Sequence, residues 1–175
     1  FMLIQNLVQE GSQAFIVYPM VESDDEEMTG TNAAVNEYNR IKKEVLPQFS
    51  VGLLHGRMKS EEKEKVMMNF REGIYQILIT TTVIEVGVDV PNAAIMMIEG
   101  ANRFGLSQLH QLRGRVARGD KQSYCLLVPE TEDAIENERL KAMVSTNDGF
   151  KLAEIDLSQR GPGDFIGLRQ SGYKE

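Results

Sequence analysis

The segment at 108–119 combines glutamine, arginine and glycine residues at helical spacing. Because successive residues of an α-helix turn by about 100°, Gln111, Arg115 and Arg118 would share one stripe of a helix. A second stripe is apolar and consists of Leu109, Leu112 and Val116. One face of this helix is therefore expected to be buried, and the other to face a ligand or solvent.

Arg115 and Arg118 stand one turn apart, so their planar guanidinium groups can point at the same anion. Gly114 omits a side chain where a ligand or another backbone must come close. Gln111 would hold a water molecule or a phosphate oxygen beside them. The alternative is an amphipathic helix whose basic face is only solvated, and the helix by itself does not decide between the two.

A second candidate segment lies at 80–91, after an apolar run. Thr81 and Thr82 place hydroxyl groups at the end of a strand, where hydroxyl and backbone N–H groups can hold nucleic-acid phosphates without reading the base sequence. Gly87 and Asp89 would contact a nucleotide ribose or the arginines. The alternative is an ordinary loop with an aspartate-based turn.

The third candidate is a turn in which His55, Gly56 and Arg57 follow a strand. The other histidine is His110, and no cysteine or second ligand stands at metal-binding spacing, so no metal site is predicted here. We expect His55 to order its turn or to contact a backbone phosphate. The acidic residues at 22–27 are better explained by a solvated loop than by metal binding.

Nucleotide-binding signatures are absent from the sequence. It contains no Gly-x-x-x-x-Gly-Lys-Ser/Thr phosphate loop, no Gly-x-Gly-x-x-Gly, and no strand ending in an acidic pair suited to Mg²⁺. The chain is therefore not expected to bind and hydrolyse a nucleotide by itself. Two arginines without a phosphate cradle fit a domain that supplies arginine fingers to a nucleotide held by a neighbour. The sequence predicts a shared active site.

Composition limits the class of protein. The 175 residues, 42% of them hydrophobic, suffice for one domain with a core and a small extension. The single Cys125 excludes an intrachain disulfide and fits a reducing compartment, so the cytoplasm is expected. No apolar run approaches about 20 residues and no signal peptide is apparent, so no membrane association is predicted. The net charge of −7 argues against a domain that coats nucleic acid indiscriminately, although basic residues gather at 103–121.

Five short apolar runs predict strands at 13–18, 51–54, 76–80, 94–98 and 123–128. Helices are predicted at 1–10, 33–46 and 60–71, the last with Ser60 as N-cap, and a loop at 22–32. Because apolar strands alternate with helices, we predict an α/β fold with a mostly parallel sheet covered by helices on both faces. The candidate segments at 55–59 and 81–92 then lie at the carboxyl ends of the strands, where ligands bind in such sheets.

The composition changes after Val128. Helical stretches are predicted at 130–144 and 150–157, followed by a glycine-rich tail from Arg160. We therefore predict a main domain at 1–129 and a helical extension with its tail at 130–175.

Several of these motifs resemble those of superfamily-two helicases. Residues 111–118 resemble the last conserved motif of that superfamily, and 81–89 the motif before it. More narrowly, 54–59, 82–93, 103–115 and 160–163 resemble the bacterial RecG family of branch-migration DNA helicases, over nearly all of the chain. Two positions depart from the pattern: Ala117 stands where these helicases usually have glycine, and Val86 where the wider superfamily often has arginine.

The resemblance implies the second of two RecA-like motor domains, with the P-loop NTPase type of fold. ATP with Mg²⁺ would lie between it and the first motor domain, with Arg115 and Arg118 reaching the phosphates. Gln111, Gly114, Gly87 and Asp89 would complete this side of the cleft. The DNA backbone would be contacted by five residues: His55, Gly56, Arg57, Thr81 and Thr82. The tail would couple the motor to DNA movement through Arg160, Gly161, Gly163, Arg169 and Gln170.

The implied partners are double-stranded and branched DNA, and the first motor domain and wedge domain of the same full-length chain. The implied activity is the remodelling of stalled forks and Holliday junctions in recombination and repair, in the bacterial cytoplasm at the nucleoid. The nearest rival is the transcription-repair coupling translocase, but residues 56–59 and 169–172 favour RecG. An alternative from another class is a RecA-like binding domain without chemistry, which the intact Gln111, Arg115 and Arg118 disfavour.

Overall fold

Five strands form one sheet in the computed structural model: β1 Gln13–Val17, β2 Val51–Leu54, β3 Ile77–Thr80, β4 Ala93–Glu99 and β5 Tyr124–Val128. Their spatial order is β2-β3-β1-β4-β5, and every pairing is parallel. The structure describes residues 1–19, 24–81, 90–116, 121–133 and 137–160, without the side chains of 24–30, 156, 159 and 160. The predicted parallel α/β sheet is confirmed.

The sheet is accompanied by six α-helices in the described part of the chain: α1 Met2–Gln9, α2 Asp24–Arg40, α3 Ser60–Arg71, α4 Leu106–Gly114, α5 Glu138–Ser145 and α6 Gly149–Arg160. A π-helical turn at Ile41–Val45 continues α2, and a 3₁₀ turn at Ala101–Arg103 precedes α4. Strands and helices alternate in the order β1-α2-β2-α3-β3 and again in the order β4-α4-β5.

Side chains on the strands alternate between two buried clusters. Phe15 and Val17 of β1 belong to a cluster with residues of α3, α4, α5 and α6, whereas Ala14 and Ile16 belong to one with residues of α1 and α2. Both faces are thus covered, which explains why the strands are largely apolar. The chain leaves β1 towards β2 across one face and leaves β4 towards β5 across the other, so the sheet is doubly wound.

The starts of α2 and α5 and the N-cap of α3 differ from those predicted. The loop predicted at 22–32 is wrong from Asp24 on, where α2 begins; the acidic residues that suggested solvated loop are also the types that a helical first turn favours. The N-cap of α3 is Lys59 rather than Ser60, because the Glu62 carboxylate accepts from the Lys59 N–H at 3.0 Å. The helix predicted from 130 begins at Glu138, after the cap Asn137, whose side chain accepts from the Arg139 N–H.

Candidate functional site

Two of the predicted binding segments begin side by side at the carboxyl edge of the sheet. Leu54 of β2 is the register partner of Thr80 of β3, and the next residue, Thr81, donates its N–H to the Leu54 carbonyl at 3.1 Å. The Thr81 side chain is buried, and within the described part of the chain its Oγ1 has no hydrogen-bond partner. A phosphate contact by this hydroxyl stays a prediction, and it would require the surroundings of Thr81 to open.

The 55–59 turn is closed by contacts of its own. The Met58 N–H donates to the His55 carbonyl at 3.2 Å, and the Arg57 N–H donates to His55 Nδ1 at 3.3 Å. Burial, together with nearby Lys63 and Arg57, holds the pKa of His55 below its ordinary value. A neutral imidazole that accepts through Nδ1 therefore orders this turn, while Arg57 and Lys59 are exposed.

Helix α4 presents the two faces that the sequence predicted. Leu109, Leu112 and Val116 are buried, whereas Gln111 is exposed and Arg115 is half-buried. The helix is shorter than predicted, because it ends at Gly114 and Arg115 is its C-cap. The N–H groups of Arg115 and Val116 donate to carbonyls three residues back, a tightening that is common in last turns.

Gly114 leaves open space beside Arg115. A Cβ built on this glycine would meet no atom of the described chain within 4 Å. No described backbone therefore requires the glycine, and the close approach of a ligand at this position stays a prediction. Gln111, Gly114 and Arg115 lie together at the carboxyl-terminal end of α4, and their binding of an anion stays a prediction.

Arg113 has a role that sequence reasoning missed. Its guanidinium donates to the Met143 carbonyl at 2.6 Å and to the Thr146 carbonyl at 3.0 Å, and its Nη2 lies 3.1 Å from His110 Nδ1. Both carbonyls lie at the carboxyl-terminal end of α5, where helix carbonyls lack partners in the helix and favour a cation. Arg113 thus joins α4 to α5. In the sequence nothing separates it from Arg115, since both flank Gly114.

Replacing Arg113 by methionine is expected to lower the free energy of unfolding by about 1.5–3 kcal/mol, because two partly buried carbonyls lose a charged donor. Urea unfolding of the purified chain measures this. The control is Arg103→Met, which removes an exposed ion pair with Glu130 at 2.7 Å and should cost no more than about 1 kcal/mol. Equal losses in the two variants would contradict the role assigned to Arg113.

Other predicted site residues lie outside the described residues. These are Thr82, Gly87, Asp89, Arg118, Gly161, Gly163, Arg169 and Gln170. Arg160 is the last residue of α6, and its side chain is not described. The structure thus brings together Gln111, Gly114 and Arg115 on α4, and His55, Gly56, Arg57 and Thr81 at the ends of β2 and β3.

Within the described ranges, no helix has the length and apolar character needed to cross a bilayer. No group of three or more histidine, cysteine, aspartate or glutamate side chains there is arranged to hold a metal ion.

The doubly wound parallel sheet is the fold of a known class of helicase domain. The family model described as helicase conserved C-terminal domain matches residues 1–120, and the chain belongs to this family. The C-terminal domain of the DEAD-box protein Dbp5 shares the fold, with a TM-score of 0.59 over 90% of this chain and 88% of that one at 16% identity. The fold is RecA-like.

Within this family, the chain is similar to RecG. Residues 146–174 match a model of the C-terminal part of domain 3 of the ATP-dependent DNA helicase RecG. RecG of Thermotoga maritima is 52% identical over 97% of this chain, and RecG of Bacillus subtilis 48% identical over 98%. A solved structure of RecG bound to a three-way DNA junction superposes over 94% of this chain with a TM-score of 0.74 at 49% identity.

The RecG resemblance drawn from the motifs is confirmed. The chain spans 21% of the Thermotoga maritima protein, 25% of the Bacillus subtilis protein and 21% of the solved RecG chain. It therefore corresponds to one part of a larger protein in each of these relatives.

Proposed function

We propose that this chain is the C-terminal motor domain of an ATP-dependent DNA helicase that remodels stalled replication forks and Holliday junctions. The observation that carries the proposal is the near-complete match to proteins named ATP-dependent DNA helicase RecG, at 52% identity over 97% of the chain. The RecA-like sheet and the predicted anion-binding residues at the end of α4 are consistent with it. The full-length protein acts in recombination and DNA repair in the bacterial cytoplasm, at the nucleoid.

The nucleotide in this proposal is ATP with Mg²⁺, held mainly by the first motor domain of the full-length chain. The donor set on α4 fits this partial role, since it offers a guanidinium and a carboxamide beside an open glycine but no acidic pair for a metal. Arg115 and Arg118 stabilise negative charge on the phosphates, and Gln111 positions a water molecule or phosphate oxygen. Gly87 and Asp89 contact the ribose or the arginines. Hydrolysis of the bound ATP would supply the free energy for movement.

Double-stranded and branched DNA is the proposed substrate. Arg57 is exposed at a turn that His55 orders, so its guanidinium can reach a backbone phosphate, and Gly56 permits the close approach. Thr81 and Thr82 contribute hydroxyl groups at the end of the neighbouring strand. The solved relative bound to a three-way DNA junction supports this assignment.

The tail and the extension are proposed to couple ATP hydrolysis to DNA movement. In this proposal, the motor domain comprises 1–129 and the extension 130–175. Buried residues of α5 and α6 share one cluster with α4, so the extension is packed against the helix that carries Arg115. The coupling residues are Arg160, Gly161, Gly163, Arg169 and Gln170, and the wedge domain of the full-length chain is the further partner.

The direct test is an unwinding assay with the full-length protein. ATP-dependent separation of strands is expected with forked and four-way DNA, and much less with a linear duplex of the same sequence and length. Unwinding that needs no ATP, or equal activity on all three substrates, would overturn the proposal. The linear duplex serves as the matched control for simple DNA binding.

The isolated 175-residue chain is expected to show no ATP hydrolysis above background, because it has no phosphate cradle. Its DNA binding should be weak and should fall further as salt is raised, given a net charge of −7. A phosphate-release assay and a fluorescence titration with forked DNA measure the two properties. Turnover at a rate comparable to a complete motor would contradict the shared site.

A further inference from the structure

The buried side chain of Gln13, at the amino end of β1, joins three parts of the chain. Its Nε2 donates to the Phe70 carbonyl at 2.6 Å and to the Tyr75 carbonyl at 2.8 Å. Its Oε1 accepts from Asn92 Nδ2 at 3.3 Å, and the same Asn92 nitrogen donates to the Gly11 carbonyl at 2.9 Å. A buried amide with partners for its donors and its acceptor holds all of them in place.

One of these partners, Tyr75, lies in the segment that joins α3 to β3, and another, Phe70, lies at the carboxyl-terminal end of α3. Phe70 is in its last turn, where its ring also packs edge-on against Phe15 with centroids 4.8 Å apart. All of α3 is described, and its buried residues, Met67 and Phe70, lie in the second half. The first half, 60–65, contains no buried residue. The buried side chains of the helix therefore lie towards the end that Gln13 contacts, while at its other end Met58 of the 55–59 turn packs against the same core cluster.

The other end of α3 carries the 55–59 turn. The helix has 12 residues and so is about 18 Å long. A change in its direction at Phe70 is therefore passed along the helix to the turn, in which Arg57 is exposed. We infer that Gln13 is a positioning residue for DNA binding: by fixing the carboxyl-terminal end of α3, it sets where the 55–59 turn lies. This inference rests on the proposed function.

Gln13→Met in the full-length protein tests the inference, since it keeps the volume and removes the amide. The concentration of forked DNA that gives half-maximal ATP hydrolysis is expected to rise about tenfold, equivalent to about 1.4 kcal/mol. The value of kcat at saturating DNA should stay near that of the parent. A purely structural role predicts the opposite, because partial unfolding lowers the active fraction and kcat without changing the half-saturating concentration.

Two further variants make the result interpretable. Asn92→Ala removes the donor to Gln13 Oε1 at an exposed position, so it should fold and give a smaller rise in the same direction. Gln76→Met is the matched control. The Gln76 amide accepts from the Ser50 N–H at 3.0 Å, and within the described residues its side chain makes no hydrogen bond to α3. This variant should leave the half-saturating DNA concentration unchanged. A rise as large as that of Gln13→Met would overturn the inference.

A double-mutant cycle with Arg57→Ala completes the test. If Gln13 acts through the turn, Gln13→Met adds little once Arg57 is removed. Effects that multiply in the double variant, or an unchanged half-saturating concentration in Gln13→Met, would refute the positioning role. If Arg57→Ala itself leaves DNA binding unchanged, the proposed DNA contact of the turn fails instead, so the two failures are distinguishable.

Discussion

Replacing Arg115 or Arg118 by alanine in the full-length protein is expected to lower kcat for DNA-stimulated ATP hydrolysis by about 10³ or more. The affinity for ATP should change little, because arginine fingers act mainly on charge that develops in the transition state. Arg115 suits this role, since it is the C-cap residue of α4 and follows Gly114, which has no described atom near its Cβ position. Steady-state kinetics with forked DNA, together with a nucleotide-binding titration, measure both quantities.

Lysine at either position should restore little activity, since it lacks the planar fork of the guanidinium group. The control is Arg103→Ala, an exposed arginine paired with Glu130 at the start of the same resemblance segment. It should keep kcat within about twofold, as a surface ion pair contributes little. Near-normal turnover in the Arg115 and Arg118 variants would contradict this role and would favour the alternative that these arginines are only solvated.

The tail variants Arg169→Ala and Gln170→Ala are expected to preserve most DNA-stimulated ATP hydrolysis and to abolish most fork unwinding. The reason is that the proposed hydrolytic residues lie on and after α4, whereas the tail follows α6, so the two activities can be separated. The deciding measurement is the number of ATP molecules hydrolysed for each base pair moved, which should rise strongly.

Ser171→Ala is the control for the tail, because it alters the neighbouring polar residue without touching the two proposed coupling residues. Its ratio of ATP hydrolysed to base pairs moved should equal that of the parent. The same unchanged ratio in Arg169→Ala and Gln170→Ala would remove the tail from the coupling mechanism.

The strands were predictable because their signal is local. Runs such as 14–17 and 93–98 are apolar on both faces, which only a sheet covered on both sides requires, and the alternation with helices specified parallel pairing. The start of α2 was not predictable in this way. Acidic residues at 24–27 are typical both of solvated loops and of helical first turns, and local composition cannot distinguish them.

For the candidate site, sequence periodicity predicted which face of α4 is buried, but not where the helix ends or what Arg113 contacts. Leu109 and Leu112 follow the helical period, which is a local property. The bonds from Arg113 to Met143 and Thr146 depend instead on α5, some thirty residues away along the chain. Gln13 was missed for the same reason, because its partners are distant backbone carbonyls with no signature in the sequence.

The strand order also constrains how the chain folds during synthesis. β1 is central, and its partners are made much later: Ala14 pairs with Ile77 on one side and with Ile95 on the other. Since neither partner has left the ribosome when β1 emerges, a largely apolar strand with two open edges must wait for most of the domain to be translated. Such non-local pairing is slow to form. Nascent chains that stop before β4 should therefore be held by chaperones or aggregate, rather than accumulate as a partly folded domain.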